Sequence, residues 1–327
     1  DLEAVAAAAL ALAEAVDAMG HTHGAAVLYG AAYDVAGATA ASATALDAGR
    51  LLGRLERRQG RWDRALHWYE LARDVARERG DRGGEAVVLT GRGNVLRDRG
   101  NLPAARAVFE ESLGLARDSG DAYALGTAHH AFMAVEQDMG AVGRAIIHGW
   151  RAVEVYPEEE SRMHAMTALA GCFLEAGELD AAADAYSIVL ARLQVPEYLF
   201  AAREALAHIA ARRGDEKEFE ACARVSDEAG WEEDAGVWTR AQILLFRGLS
   251  HESLGRGAEA RLWLERARAC AESNGVNKVS FDAEAALARL AGDGATDGTV
   301  PDDGRPPEEM PAIRRGISAM RKALIPA

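Results

Sequence analysis

Two stretches decide the fold: LLGRLERRQGRWDRALHWYELA, Leu51–Ala72, and GRGNVLRDRGNLPAARAVFEESL, Gly91–Leu113. Aligned on Gly60 and Gly100, both place an alanine five residues on (Ala65, Ala105) and an aromatic residue nine on (Tyr69, Phe109). The same glycine recurs as Gly20, Gly60, Gly100, Gly140, Gly177, Gly214 and Gly255, at intervals of 40, 40, 40, 37, 37 and 41 residues. Five residues after these stand Ala25, Ala65, Ala105, Ala145, Ala182, Phe219 and Ala260; nine after stand Tyr29, Tyr69, Phe109, Gly149, Tyr186, Ala223 and Leu264. A fixed period of this length signals stacked helix-turn-helix units. The small residue lets the second helix approach the first, the bulky one a turn later fills the gap to the next unit, and the glycine turns the chain between them. Met133 and Gly149 make the fourth copy irregular, as Phe219 and Ala223 do the sixth.

From roughly Ala6 to Leu290 these residues resemble the tetratricopeptide repeat family. The resemblance implies an all-α, right-handed α-solenoid of about seven helical hairpins with a C-terminal capping helix. The family's usual period is about 34 residues; the longer one here is ascribed to longer second helices and to connectors such as ARERGDRGGEA, Ala76–Ala86. That variant is similar to repeats in bacterial signal-transduction regulators and kinesin light chains. It implies a non-enzymatic scaffold or adaptor that holds a protein or peptide, as the sensing or regulatory part of a larger signalling system; an enzyme-associated regulatory subunit or a self-assembling scaffold is the alternative.

Composition agrees with helices. The chain is 49% hydrophobic but only 6% aromatic, with alanine supplying much of the apolar content. Lys217, Lys278 and Lys322 are the only lysines, an arginine bias expected of a GC-rich bacterial genome. A formal charge of -14 and a pI near 5.2 oppose non-specific attachment to nucleic acid or anionic membrane. Cys172, Cys222 and Cys270 are odd in number and lack metal-ligand spacing, which suits free thiols in a reducing, cytoplasmic compartment. Ala4–Val16, with Glu3 and Glu14 and no basic leader, reads as a helix rather than a signal peptide, and a start at Asp1 leaves room for upstream sequence.

The expected organisation is a repeat array over 1–292, closed by a capping helix at Val279–Gly292, then an acidic Gly/Pro-rich flexible linker over 293–311 and a basic amphipathic helix over 312–325. In that last helix Ile313, Ile317, Met320 and Leu324 form one stripe, flanked by Arg314, Arg315, Arg321 and Lys322; the stripe is expected to dock, on its own chain ahead of a neighbouring one. Self-association through this helix is the alternative.

No phosphate loop, dinucleotide fingerprint, paired-cysteine site, zinc-protease histidine pair or nucleophile elbow stands in the sequence, so neither cofactor nor metal is expected. His21 and His23 read as turn histidines, and Glu158, Glu159 and Glu160 after Pro157 as charges favouring a helix start. The ligand face is expected on the first helices of successive hairpins, ten, six and three residues before each turn glycine. Those positions hold Arg50, Arg54 and Arg57, then Thr90, Asn94 and Arg97, then His130, Ala134 and Gln137. Guanidinium forks suit carboxylates and amides suit a peptide backbone, so the expected partner is a protein or peptide with an acidic or C-terminal carboxylate segment.

Overall fold

The computed structural model describes residues 2–37, 42–292 and 307–324. Among these the regular elements are all α-helices, arranged as consecutive hairpins. The first four pairs are α1 (Leu2–Ala18) with α2 (Thr22–Gly37), α3 (Ala43–Arg58) with α4 (Trp62–Glu78), α5 (Arg82–Asp98) with α6 (Leu102–Ser119), and α7 (Ala122–Asp138) with α8 (Val142–Val155). Then come α9 (Glu159–Glu175) with α10 (Leu179–Arg192), and α11 (Pro196–Arg212) with α12 (Glu216–Glu228). After a one-turn helix α13 (Trp231–Asp234) follow α14 (Val237–Ser253) with α15 (Gly257–Asn274), then α16 (Asn277–Ala291) and α17 (Met310–Lys322). Two compact units result: unit 1 is Asp1–Met139 with Arg151–Arg162, and unit 2 is Gly140–Trp150 with Met163–Ala327. Most of the expected linker, residues 293–306, lies outside the described residues.

The turn glycines act as the repeat predicts. Gly60 sits at φ 70°, with its own N–H donating to Arg57 O at 2.9 Å and Arg61 N–H donating to Glu56 O at 3.0 Å. These are the paired bonds that close a helix on a left-handed residue. Of the two origins expected for the long period, the longer helices hold and the long connector does not. Ala76–Glu78 ends α4 and Arg82–Ala86 begins α5, so the join between hairpins is as short as the turn within one. Gly80, at φ 67°, closes it in the same way. The added length lies in helices of 17 residues, α4 and α5 among them.

In unit 1 the rings of Tyr69, Phe109 and Tyr156 are seated on glycines. Tyr69 lies against Gly53 of its own hairpin and Gly91 of the next; a Cβ on Gly53 would stand 2.9 Å from the ring, and one on Gly91 would overlap it. Phe109 occupies the equivalent place on Gly93 and packs on Phe132, ring centroids 6.2 Å apart. The seat at Gly126 is taken by Tyr156, just past the end of α8, where a Cβ would come within 2.6 Å of the ring. Position nine of that irregular hairpin is Gly149, so the ring comes from further along the chain. Burial pushes the Tyr156 hydroxyl up to about 12.

Ala65 and Ala105 are both 0% exposed. Leucine at either should overpack the hairpin and cost about 1–3 kcal/mol, whereas leucine at exposed Ala11 should shift the denaturation midpoint little. Neutral behaviour at both buried positions would contradict the helix register.

Unit 2 explains the irregular sixth hairpin. Where other copies carry a bulky residue, Ala223 leaves room, and the Arg247 guanidinium of α14 fills it. Arg247 is 4% exposed and donates to Glu204 Oε1 at 2.5 Å, Asp227 Oδ1 at 2.9 Å and Ala223 O at 3.0 Å. The apolar core beyond it holds Trp231, Leu244, Leu264 and Val279. Helix α16 packs on α14 and α15.

Candidate functional site

Within unit 1 the backbones of the first helices approach in series, α1 to α3, α3 to α5 and α5 to α7, whereas α2, α4 and α6 stand further apart and meet through long side chains, Tyr33 on Trp68 and Arg73 with Glu111. A row of helices in closer contact lies on the inside of a bend, so the first helices form the inner face of this unit.

Most charge on that face is internally committed. Arg57 donates to Asp98 at 2.5 Å, and Arg97 stands 3.3 Å from Asp138 and 3.7 Å from Asp98. At the start of the unit the signs reverse, with Asp17 accepting from Arg58 at 2.5 Å. The rule is one of register: the residue three before Gly20, Gly60 and Gly100 pairs with the residue two before the next turn glycine. Each step of this ladder ties one hairpin to its neighbour. The partners Asp98 and Asp138 were readable in the sequence once the positions two before the glycines were compared.

Thr90 does not belong to this face. It is 4% exposed, and its hydroxyl lies 2.9 Å from Ser112 Oγ and donates to Ala86 O at 3.2 Å. The position ten before the glycine turns toward the second helix of its own hairpin, and a short side chain there cannot reach out. Glu204 at the same register is 0% exposed. Arg50 is half-buried and escapes by its length to pair with Asp47 at 3.2 Å. His130 is half-buried, its ring 6.4 Å from that of Tyr156, and Gln137 is half-buried at the α7 end.

Two side chains at the centre differ from the ladder. Arg54 and Asn94 both stand six before their glycines, on adjoining helices α3 and α5. The Arg54 side chain is 49% exposed and its acid, Asp17, is 3.9 Å away. Asn94 is half-buried and its amide makes no hydrogen bond among the described residues. Beneath them burial pushes the Tyr69 hydroxyl up, against the pull of Arg57, Arg50 and Arg54 beside it. The set can bind a carboxylate at the loosely held guanidinium and a peptide group at the amide.

Other expected centres take structural roles. His21 and His23 remain exposed, and Glu159 accepts from Arg162 at 3.2 Å at the start of α9. Burial pushes the Cys172 thiol up to about 12 and the Cys222 thiol up to about 11, with Glu218 adding to the second. The buried His208 ring, stacked on Phe246 at 5.3 Å and 3.0 Å from Ser250 Oγ, is pushed down to about 3 by burial. Among the described residues no helix is long and apolar enough to cross a membrane.

In unit 2, Ile313 and Ile317 of α17 are 2% and 0% exposed, and Met310, outside the expected stripe, is 2% exposed. Met320 and Leu324 are half-buried.

The tetratricopeptide repeat family model matches residues 42–118, which hold the second and third hairpins and the centre of the inner face. A tetratricopeptide repeat protein from Parabacteroides merdae ATCC 43184 is similar in structure, with a TM-score of 0.49 and 14% identity over 85% of this chain and 98% of that one. No curated protein matches the chain. By their turn glycines and alanine and aromatic positions, the hairpins of residues 42–118 are tetratricopeptide repeats.

Proposed function

We propose that the inner face of unit 1 holds an extended, acidic segment of a partner protein, its carboxylate on Arg54 and a backbone carbonyl on the Asn94 amide. The observation that carries this reading is the contrast within one face: Arg57 and Arg97 are spent on the ladder, while Arg54 is loosely held and the amide beside it is unspent. A half-buried amide needs water or a ligand, and displacing water with a matching acceptor gains affinity. Arg50, Arg57, Arg97, His130 and Gln137 frame the segment. The chain thereby acts as a scaffold or adaptor, the sensing or regulatory part of a larger signalling system. Its three free thiols favour a reducing, cytoplasmic setting.

The test uses fluorescent acidic peptides ending in a free carboxylate, beside amidated versions. The free-carboxylate peptides should bind more tightly, and salt should weaken them. Replacing Arg54 and Asn94 together by alanine should cost at least about tenfold in affinity, the equivalent of about 1.4 kcal/mol, with the melting temperature unchanged. Arg97→Ala should instead lower the melting temperature through the lost ladder step. An unchanged affinity in the Arg54/Asn94 double variant would rule the site out.

A further inference from the structure

The C-terminal helix is docked where a cap is not needed. The last face of the array is already covered by α16, which packs on α14 and α15. Helix α17 instead lies on the second helices α10 and α8 of unit 2, packing on α10 and meeting Trp150. Met310, Ile313 and Ile317 form its buried stripe, and Arg314 pairs with Glu178 at the start of α10. Gly316 faces Trp150 so closely that a Cβ would stand 2.6 Å from the indole ring. Glycine weakens a helix interior, so its place here is a requirement of the surface, which admits a helix only where the residue over Trp150 is small.

The surface also selects charge. Glu178, Asp180 and Asp184 line one cleft beside α17, with Arg213, Arg314 and Ser318. Arg213 neutralises Asp180 at 2.5 Å, whereas Asp184 makes no ion pair among the described residues. The occupant carries Arg314, Arg315, Arg321 and Lys322 on a chain whose formal charge is -14. Its hold is shallow at one end, with Met320 and Leu324 half-buried. The fourteen residues 293–306, rich in glycine, proline and aspartate, tether it, so a weak contact stays filled by local concentration alone.

We propose that this face of α8 and α10 is a receptor for a basic amphipathic helix of a partner protein, carrying a small residue over Trp150, and that α17 is the resident mimic which that helix displaces. The receptor belongs to unit 2 and does not rest on the reading given for the inner face of unit 1.

The probe is a fluorescein-labelled synthetic peptide of residues 307–324, titrated into full-length chain. Wild type should bind it weakly, because its receptor is filled. Full-length Ile317→Asp, which releases α17, should bind at least tenfold more tightly, and adding Glu178→Arg to that chain should weaken the gain several-fold. A peptide carrying Ile313→Asp and Ile317→Asp should not bind. Arg314→Glu, which leaves the apolar stripe intact, should open the receptor part-way with an unchanged circular dichroism spectrum, and so guards against misfolding of Ile317→Asp. Equal affinity of wild type and both opened chains would overturn the proposal. So would a concentration-dependent wild-type dimer that Ile317→Asp abolishes, since the receptor would then serve a second copy.

Discussion

Gly93→Ala should destabilise unit 1 by about 2–3 kcal/mol, although glycine to alanine in a helix interior ordinarily stabilises by about 0.5–1 kcal/mol. The sign is decided by the Phe109 ring, which a Cβ at Gly93 would overlap. That ring is 0% exposed and held by Phe132, so it cannot swing aside without opening the hairpin contact. Gly114 in α6 is the matched control, with nothing within 4 Å of its added Cβ. Alanine there should raise stability by about 0.5–1 kcal/mol. Urea midpoints of the two variants should therefore move in opposite directions. Movement in the same direction would mean that the ring is not seated on Gly93.

The same glycines show what the sequence makes legible. Turn register, the alanine at five and the aromatic at nine all follow from local periodicity, because each hairpin repeats the same close approach. The seven turn glycines do take left-handed φ. Gly80, Gly120 and Gly275 close the joins between hairpins in the same conformation, but they stand between the copies of the main period and do not recur at every join, so that period does not announce them. Register alone turns Arg54 and Asn94 away from their own hairpins, and both side chains keep some exposure. Register does not place Thr90, because a position on a helix face says nothing about how far the next helix leans over it. The ladder partners Asp98 and Asp138 belong to the hairpin after that of Arg57 and Arg97, so no pattern within one helix announces them. For α17 the apolar stripe was plain, but its receptor was not, since nothing local links Gly316 to Trp150.

The least legible feature is the Arg247 network, and its removal should have the largest effect. Glu204, 0% exposed, lies 43 residues from Arg247 in the chain, so no helical period connects them. Arg247→Met should cost about 3–5 kcal/mol, because it leaves the Glu204 carboxylate in the core without its cation. Burial already pushes the Glu204 carboxyl up, with Arg247 as the main opposing influence and half-exposed Asp227 adding to the rise. Without the guanidinium the rise is opposed only by Ser226. A carboxyl whose folded pKa lies above its unfolded value keeps its proton in the folded state after the unfolded chain has lost it. Stability is then greatest below the ordinary carboxylate range, near 4.3, and falls as pH rises toward the folded value. Urea melts should accordingly show Arg247→Met losing more at pH 7 than at pH 5, relative to wild type at each pH. Replacing Glu204 by leucine in the same chain removes the buried charge and should recover most of the loss, flattening the pH dependence with it. A single variant that loses less than about 1 kcal/mol, or a double variant less stable than the single, would show that the guanidinium fills the space left by Ala223 by shape alone rather than by charge.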